Sequence, residues 1–78
     1  MNDKEKRIAE LLKARRAELK MSVGDVVAQL AERGIRVAPK TFFGWENAVS
    51  RPNVTAFLAL CRIYGIDEIL DYFEDSEA

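Results

Sequence analysis

Residues that break helices divide this chain into short segments, and this division restricts the fold more than any other feature. Gly34 and Gly65 each follow a segment in which apolar residues recur every three or four positions, and Pro39 and Pro52 each precede another such segment. That spacing is typical of α-helices, whereas the strict alternation of a strand is never sustained. Short helices joined by short connectors pack compactly, so the sequence predicts an all-α fold.

Cap residues indicate where the helices begin and end. Ser22 and Asn53 are of the types that accept hydrogen bonds from the first turn of a helix, and Asp25 completes a capping box with Ser22. Pro39 suits the first position of a helix, where a missing N–H costs nothing, and Gly34 suits the left-handed position after a helix end. The predicted helices, including their caps, span residues 3–20, 22–34, 39–48, 53–65 and 67 onward.

Helical spacing also predicts the face of each helix that packs into the core. The fifth helix, capped by Asp67, follows the fourth without a linker. We therefore expect a single domain over residues 1–78, with a five-helix core over about 6–73 and an acidic tail over 74–78. The residues predicted to lie on buried faces are Ile8, Leu11, Leu12, Leu19, Val26, Val27, Leu30, Ala31, Phe42, Trp45, Val49, Val54, Phe57, Leu58, Cys61, Tyr64, Ile69 and Leu70.

The composition excludes several classes of protein. Cys61 is the only cysteine and histidine is absent, so neither an internal disulfide nor an ordinary zinc site can form, and no cofactor is expected. Charged residues interrupt every apolar run well before the ~20 residues of a membrane span, and the first residues do not resemble a signal peptide. Without a histidine base, catalysis is not expected. We expect a cytoplasmic protein that is not an enzyme.

Charge is distributed unevenly along the chain. Residues 67–78 contain six acidic side chains and no basic one, although the net charge of the whole chain is only −1. The first 66 residues therefore hold all 12 basic side chains against seven acidic ones. A basic nucleic-acid-binding face followed by an acidic tail would explain this asymmetry. A solvated acidic terminus without a role would explain the tail equally well.

The third predicted helix contains an unusual run, Thr41-Phe42-Phe43-Gly44-Trp45-Glu46-Asn47. Helical spacing places Phe42, Trp45 and Val49 on one side of it. The residues left facing outward are Lys40, Phe43, Gly44 and Asn47. A short helix with a large aromatic anchor and a polar outer face is suited to presenting that face to a partner.

This run and the helix before it resemble the recognition region of the Cro and lambda-repressor-like (XRE-class) helix-turn-helix family, of the prophage-repressor type. The family pattern is a serine, a helix, a turn, Thr-apolar-x-x-Trp-Glu-Asn and a later proline. The resemblance implies a repressor-like transcriptional regulator that binds double-stranded DNA at a palindromic operator, with residues 39–48 in the major groove. It also implies that Glu46 pairs with Arg16 and so sets the angle between the first and third helices.

The first turn of the predicted recognition helix supplies the best candidate for a base contact, Lys40. Its ammonium group can donate to guanine O6 or N7, and the alternative is a solvated surface lysine. Phe43 either touches a thymine methyl group or packs under the turn. Gly44 either permits close approach to DNA or is merely tolerated in the helix, where glycine costs ~1 kcal/mol of helix stability relative to alanine. The predicted base-reading residues are Lys40, Phe43, Gly44 and Pro39.

Polar residues around the recognition helix are predicted to contact the DNA backbone, which positions a domain without reading sequence. Ser22 opens a helix whose free N–H groups attract anions. By the resemblance, Ala48 stands where family members usually have glycine, and Arg36, in the turn, lies near the surface that contacts DNA. The residues at positions where family members hold phosphates are Thr41, Asn47, Ser50 and Arg51. The predicted backbone contacts are Ser22, Arg36, Thr41, Asn47, Ser50 and Arg51.

The aromatic end of the chain predicts a homodimer. Ile69 and Leu70 are enough to dock the fifth helix, which leaves Tyr72 and Phe73 to pack across a two-fold axis. The alternative is that Phe73 folds back over the first helix in a monomer. The same acidic and aromatic end is compatible with another function, that of a protein-interaction module such as an antitoxin or adaptor. No membrane partner or small-molecule substrate is expected.

Overall fold

The computed structural model describes residues 3–67, which fold into four α-helices without a strand. The helices are α1 (Asp3–Glu18), α2 (Val23–Glu32), α3 (Pro39–Glu46) and α4 (Val54–Tyr64). The all-α class is confirmed over this range, although the predictions made α1 and α3 two residues too long. The predicted fifth helix, with Ile69, Leu70, Tyr72 and Phe73, lies outside the described residues, as does the acidic tail.

Side-chain caps start α2 and α4. The hydroxyl of Ser22 accepts a hydrogen bond from the backbone N–H of Asp25 at 3.0 Å, and the Asp25 carboxylate accepts one from the Ser22 N–H at 2.9 Å. This is the reciprocal capping box that the sequence predicts. The Asn53 side chain caps α4 by accepting from a backbone N–H three residues later at 2.8 Å. Because α3 begins with Pro39, no N–H needs a partner at that position.

All four helices are followed by a residue in the left-handed backbone conformation. These residues are Lys20, Gly34, Ala48 and Gly65, with φ values of 55°, 82°, 61° and 69°. After each of them, the next N–H donates back to a carbonyl of the last helical turn, as Val49 does to Gly44 at 2.9 Å. Glycine adopts a positive φ without strain, whereas Lys20 and Ala48 adopt it at a steric cost.

Replacing Ala48 with glycine is expected to stabilise the domain. The change removes a β-carbon at positive φ, and the greater freedom of glycine in the unfolded chain offsets only part of that gain, which leaves ~0.5–1 kcal/mol. Urea unfolding followed by circular dichroism measures the free energy of unfolding. Ala31→Gly is the matched control, because Ala31 is exposed within α2, where glycine costs ~1 kcal/mol. A less stable Ala48→Gly variant would contradict the strain argument.

The core forms where α1 and α2 each pack against both α3 and α4. Its buried cluster consists of Leu11, Leu12, Val26, Leu30, Phe42, Trp45, Ala56, Ala59, Leu60, Cys61, Tyr64 and Ile66. Within it, the rings of Phe42 and Trp45 meet edge to face with centroids 5.8 Å apart. The predicted aromatic anchor of α3 is therefore part of the core.

Two residues predicted to be buried lie beyond a helix end and are exposed. Val49 is 79% exposed and Leu19 is 45% exposed. α3 ends at Glu46 and α1 at Glu18, and the chain reverses at the left-handed residue that follows each end. Val49 follows the reversal at Ala48, where helical periodicity no longer applies, and Leu19 lies in the turn just before Lys20, past the last helical residue of α1. The predictions for both residues are wrong.

The predicted buried face of α4 is wrong in part. Val54 and Leu58 are 74% and 53% exposed. The residues of α4 that are buried are Ala56, Ala59, Leu60, Cys61 and Tyr64. Because α4 is apolar on almost every side, spacing alone does not select its core face, and small alanines allow the closest approach of a neighbouring helix. In α2, Ala31 is likewise exposed, because the buried stripe is centred on Val26 and Leu30.

Candidate nucleic-acid interface

The short helix α3 has one face in the core and one face in solvent. Its buried residues are Phe42, Trp45 and Glu46. Its exposed residues are Pro39, Lys40, Thr41 and Phe43, followed by the exposed Asn47 at the helix end. A helix of eight residues is unstable alone, so the contacts of the buried face decide where the exposed face points.

The expected pairing of Arg16 with Glu46 is present and is bidentate. The Arg16 Nε donates to one oxygen of the Glu46 carboxylate at 2.7 Å, and a second guanidinium nitrogen donates to the other at 3.0 Å. The remaining terminal nitrogen of Arg16 donates to the Met21 carbonyl at 3.0 Å. The Glu46 side chain is only 2% exposed, and hydrogen bonding to it raises the pKa of the Arg16 guanidinium. These bonds tie the end of α3 to α1 and to the connector before α2.

The exposed first turn of α3 presents the predicted base-reading side chains. Lys40 is exposed, and within residues 3–67 no side chain forms a hydrogen bond or ion pair with it. Phe43 is 47% exposed, so its ring does not pack fully under the turn. Pro39 is exposed beside Lys40. A cation and half of an aromatic ring therefore face solvent close to one another on the same helix.

Gly44 lies against the exit loop, the connector formed by residues 47–53. A β-carbon on Gly44 would lie 3.0 Å from the Ser50 hydroxyl oxygen and 4.0 Å from the Val49 side chain. The Gly44 carbonyl also accepts hydrogen bonds from the backbone N–H groups of Val49 and Ser50 at 2.9 and 3.3 Å. Contact with this loop is a reason for glycine that sequence reasoning did not consider. The predicted contact of Gly44 with DNA stays a prediction.

The residues predicted to contact the DNA backbone are exposed on elements that border α3. Ser22 caps α2, Arg36 lies in the connector between α2 and α3, and Thr41 lies on α3 itself. Asn47 is the C-terminal cap residue of α3, and its N–H donates to the Phe43 carbonyl at 3.0 Å. The other two predicted contacts, in the exit loop, are Ser50 and Arg51.

The electrostatics of this surface favour an anion. Residues 33–45 contain three basic residues and no acidic one. Of the nearest acidic groups, Glu46 is buried against Arg16 and Asp25 caps α2, whereas Glu32 is exposed at the end of α2, directly before this stretch. Hydrogen bonds from the backbone and side chain of Ser22 lower the pKa of the Asp25 carboxyl. The exposed charges of α3 and of the preceding connector are therefore positive.

Arg51 has a partner that sequence reasoning missed. Its Nε lies 3.4 Å from a carboxylate oxygen of Glu5 in α1, and the Arg51 side chain is 67% exposed. The Glu5 side chain is 26% exposed, so the pair lies partly open to solvent on the Arg51 side. The two residues lie 46 positions apart, and no local pattern could have linked them. Arg51 thus connects the exit loop to the first turns of α1.

Neither a protein-family model, nor a curated protein, nor a solved structure matches this chain significantly. Over residues 3–67, every helix is too short or too polar to cross a membrane. The same part of the chain contains no cluster of three or more side chains suited to holding a metal ion.

Proposed function

We propose that this protein is a repressor-like transcriptional regulator that binds double-stranded DNA sequence-specifically, with α3 as its recognition helix in the major groove. The observation that carries the proposal is the exposed face of α3, with Lys40 in the first turn and Phe43 in the second, on a helix fixed by a buried aromatic anchor. In this proposal α2, residues 33–38 and α3 form a helix-turn-helix of the lambda-repressor-like class.

Base readout would come from the exposed residues at the start of α3. With this turn in the major groove, the Lys40 ammonium donates to guanine O6 or N7, and only guanine presents both of these acceptors. The exposed part of the Phe43 ring lies against a thymine methyl group, an apolar contact that favours A·T pairs. Pro39 adds apolar surface beside Lys40. The three residues together read neighbouring base pairs.

Contacts on either side of α3 would hold the DNA backbone and fix the angle of docking. The N-terminus of α2, with the Ser22 hydroxyl, provides N–H groups and a positive dipole for one phosphate. Ser50 and Arg51 in the exit loop hold a phosphate on the other side. The Arg16–Glu46 pair contacts no DNA but keeps α3 at a fixed angle to α1. These backbone contacts fix the register and orientation of α3 relative to the base pairs.

Selection from a randomised pool of double-stranded DNA tests the proposal directly. We expect enrichment of one short, symmetric sequence, which is then assayed by fluorescence anisotropy beside a scrambled duplex. Affinity should fall steeply between about 50 and 200 mM salt, because each phosphate contact releases counterions. No binding to any duplex at the low end of this range would overturn the proposal. A partner interface of the antitoxin or adaptor type would instead be insensitive to salt.

Lys40→Ala and Arg51→Ala are expected to weaken DNA binding in different ways. Loss of Lys40 should cost ~1–3 kcal/mol on the selected sequence and much less on the scrambled duplex, because a base contact is lost. Loss of Arg51 should weaken binding to both duplexes similarly, because a phosphate contact is lost. The slope of log affinity against log salt concentration should become shallower by ~1. Anisotropy titrations at several salt concentrations measure both effects.

Lys13→Ala is the matched control for these variants, because Lys13 is an exposed lysine of α1 outside the proposed interface. It should leave the affinity for the selected duplex almost unchanged. Equal losses of Lys40→Ala on the two duplexes would make Lys40 a phosphate contact, and Phe43 would then be the remaining side chain for readout.

A further inference from the structure

The backbone conformation of α3 does not explain why position 44 is glycine. Gly44 lies inside the helix, and it is not among the residues with a positive φ, so alanine can adopt the same conformation. Apart from proline, glycine is the least favourable residue in a helix interior. The missing β-carbon of Gly44 therefore serves something other than the formation of α3.

Ser50 of the exit loop uses the space that a β-carbon on Gly44 would fill. That carbon would lie 3.0 Å from the Ser50 hydroxyl oxygen, a distance tighter than nearly all contacts of real β-carbons. The Ser50 N–H also donates to the Gly44 carbonyl at 3.3 Å, so the backbone of the serine is held at the same point. Alanine at position 44 fits only if the hydroxyl rotates away or the exit loop recedes from α3.

The Ser50 hydroxyl is available to a group outside the chain. Ser50 is exposed, and within residues 3–67 its hydroxyl forms no hydrogen bond. A hydroxyl can donate one hydrogen bond, and the oxygens of a DNA phosphate are strong acceptors. The position of this hydroxyl is therefore the property that the contact with Gly44 controls.

The contact between Gly44 and Ser50 lies on the same side of α3 as Lys40. Lys40 and Gly44 are four residues apart, and positions with this spacing on a helix lie about 5–6 Å from each other on one side. Because Gly44 has no side chain, the exit loop approaches α3 directly, one turn after Lys40. The proposed base contact and the proposed phosphate contact of Ser50 thus have a spacing that depends on glycine at position 44.

We propose that Gly44 is a positioning residue, which leaves its space to Ser50 and so fixes the exit loop, with the Ser50 hydroxyl, relative to Lys40. This inference deepens the proposed function. The fixed loop follows from contacts within the chain, and only its consequence for DNA binding rests on the proposed function. A positioning role is distinct from the direct approach to DNA that the sequence predicts for Gly44, and the two lead to different results in a double-mutant cycle.

Urea unfolding without DNA tests the contact, with Gly44→Ala made in the parent and in Ser50→Ala. Alanine favours the helix in both, but only the parent has the hydroxyl that meets the new β-carbon. The urea midpoint should therefore rise more on Gly44→Ala in the Ser50→Ala background than in the parent, a non-additivity expected of residues in contact. An equal rise in both backgrounds would overturn the proposal.

Gly24→Ala is the matched control for the unfolding experiment. Gly24 is also a helical glycine near a serine, but its β-carbon would lie 3.7 Å from the Ser22 hydroxyl oxygen, which is an ordinary contact. This substitution should raise the urea midpoint of the parent, because no neighbour has to move. A midpoint that rises as much for Gly44→Ala as for Gly24→Ala in the parent would contradict a tight contact at Gly44.

Anisotropy titrations with the same variants test the consequence for DNA. In the parent, Gly44→Ala should lower affinity for the selected and the scrambled duplex by about the same factor, roughly tenfold, because a hydrogen bond to a charged phosphate is lost. In the Ser50→Ala background that bond is already absent and the loop has room for the β-carbon. There Gly44→Ala should change affinity by less than about twofold, since the two changes share one cause.

The outcomes separate this proposal from the proposed function. Equal losses of affinity on Gly44→Ala in both backgrounds would assign Gly44 to direct approach of DNA, and a loss confined to the selected duplex would assign it to base readout. Either result overturns the positioning role and leaves the DNA-binding function standing. Non-additive urea midpoints with no binding of the parent to any duplex would support the fixed exit loop and overturn the DNA-binding function.

Discussion

Trp45→Ala is expected to unfold a large fraction of the molecules at physiological temperature. The Trp45 side chain is 7% exposed and packs edge to face on Phe42, so its removal leaves a cavity in the core beside that ring. Truncation of a buried tryptophan costs ~3–5 kcal/mol, and small domains have only ~5–15 kcal/mol in total. The melting temperature should fall by on the order of 20 °C. Thermal unfolding followed by far-UV circular dichroism measures this change.

Phe43→Ala is the matched control for Trp45→Ala. It removes an aromatic ring from the same helix, but from the exposed face, so stability should change by only about 0.5 kcal/mol. Among folded molecules, Phe43→Ala should lower the affinity for DNA more than Trp45→Ala does, because Phe43 belongs to the proposed readout surface. A Trp45→Ala variant that melts within a few degrees of the parent would show that α3 does not depend on this anchor.

The helices and their caps could be predicted because their causes are local. Ser22 and Asp25 cap each other over three residues, and Gly34 and Gly65 adopt a conformation that glycine favours. The exact helix ends were harder to predict, because Lys20 and Ala48 adopt the same left-handed conformation without being glycine. No rule based on residue type identifies those two positions, and the misplaced ends of α1 and α3 follow from that.

The exposure of particular apolar residues could not be predicted from spacing. α4 carries two apolar stripes: the one with Ala56, Leu60 and Tyr64 is buried, and the one with Val54 and Leu58 is exposed. Which stripe is buried depends on how closely α1 and α2 approach α4, and that distance is a property of the whole fold.

The candidate interface was predicted as a set of residues but not as a set of contacts. The exposure of Lys40 and the partial exposure of Phe43 follow from the position of the Phe42–Trp45 anchor. The pair of Arg51 with Glu5 joins distant parts of the chain, and the approach of Ser50 to Gly44 depends on the chain reversal between them. Contacts of this kind depend on tertiary structure and leave no periodic signal in the sequence.

Arg16→Met is expected to destabilise the domain almost as much as the loss of Trp45. The methionine keeps most of the apolar stem but leaves the buried Glu46 carboxylate, which is 2% exposed, without its two charge-assisted hydrogen bonds. Breaking a buried ion pair costs ~3–5 kcal/mol, and we expect ~3 kcal/mol because a fifth of the Arg16 side chain reaches solvent. Urea unfolding of the single variant measures this loss.

The double variant Arg16→Met/Glu46→Met separates stability from the geometry of α3. Replacing both charges by apolar groups removes the unpaired carboxylate, so most of the lost free energy of unfolding should return. The fixed angle between α1 and α3 should not return, because no directional bond joins the two helices at that point. We therefore expect the double variant to be folded and stable, yet to bind the selected duplex more weakly than the parent by at least tenfold. Full recovery of DNA affinity in the double variant would show that the Arg16–Glu46 pair serves folding alone. A double variant as unstable as Arg16→Met would show that the unpaired Glu46 carboxylate is not the cause of the instability of Arg16→Met.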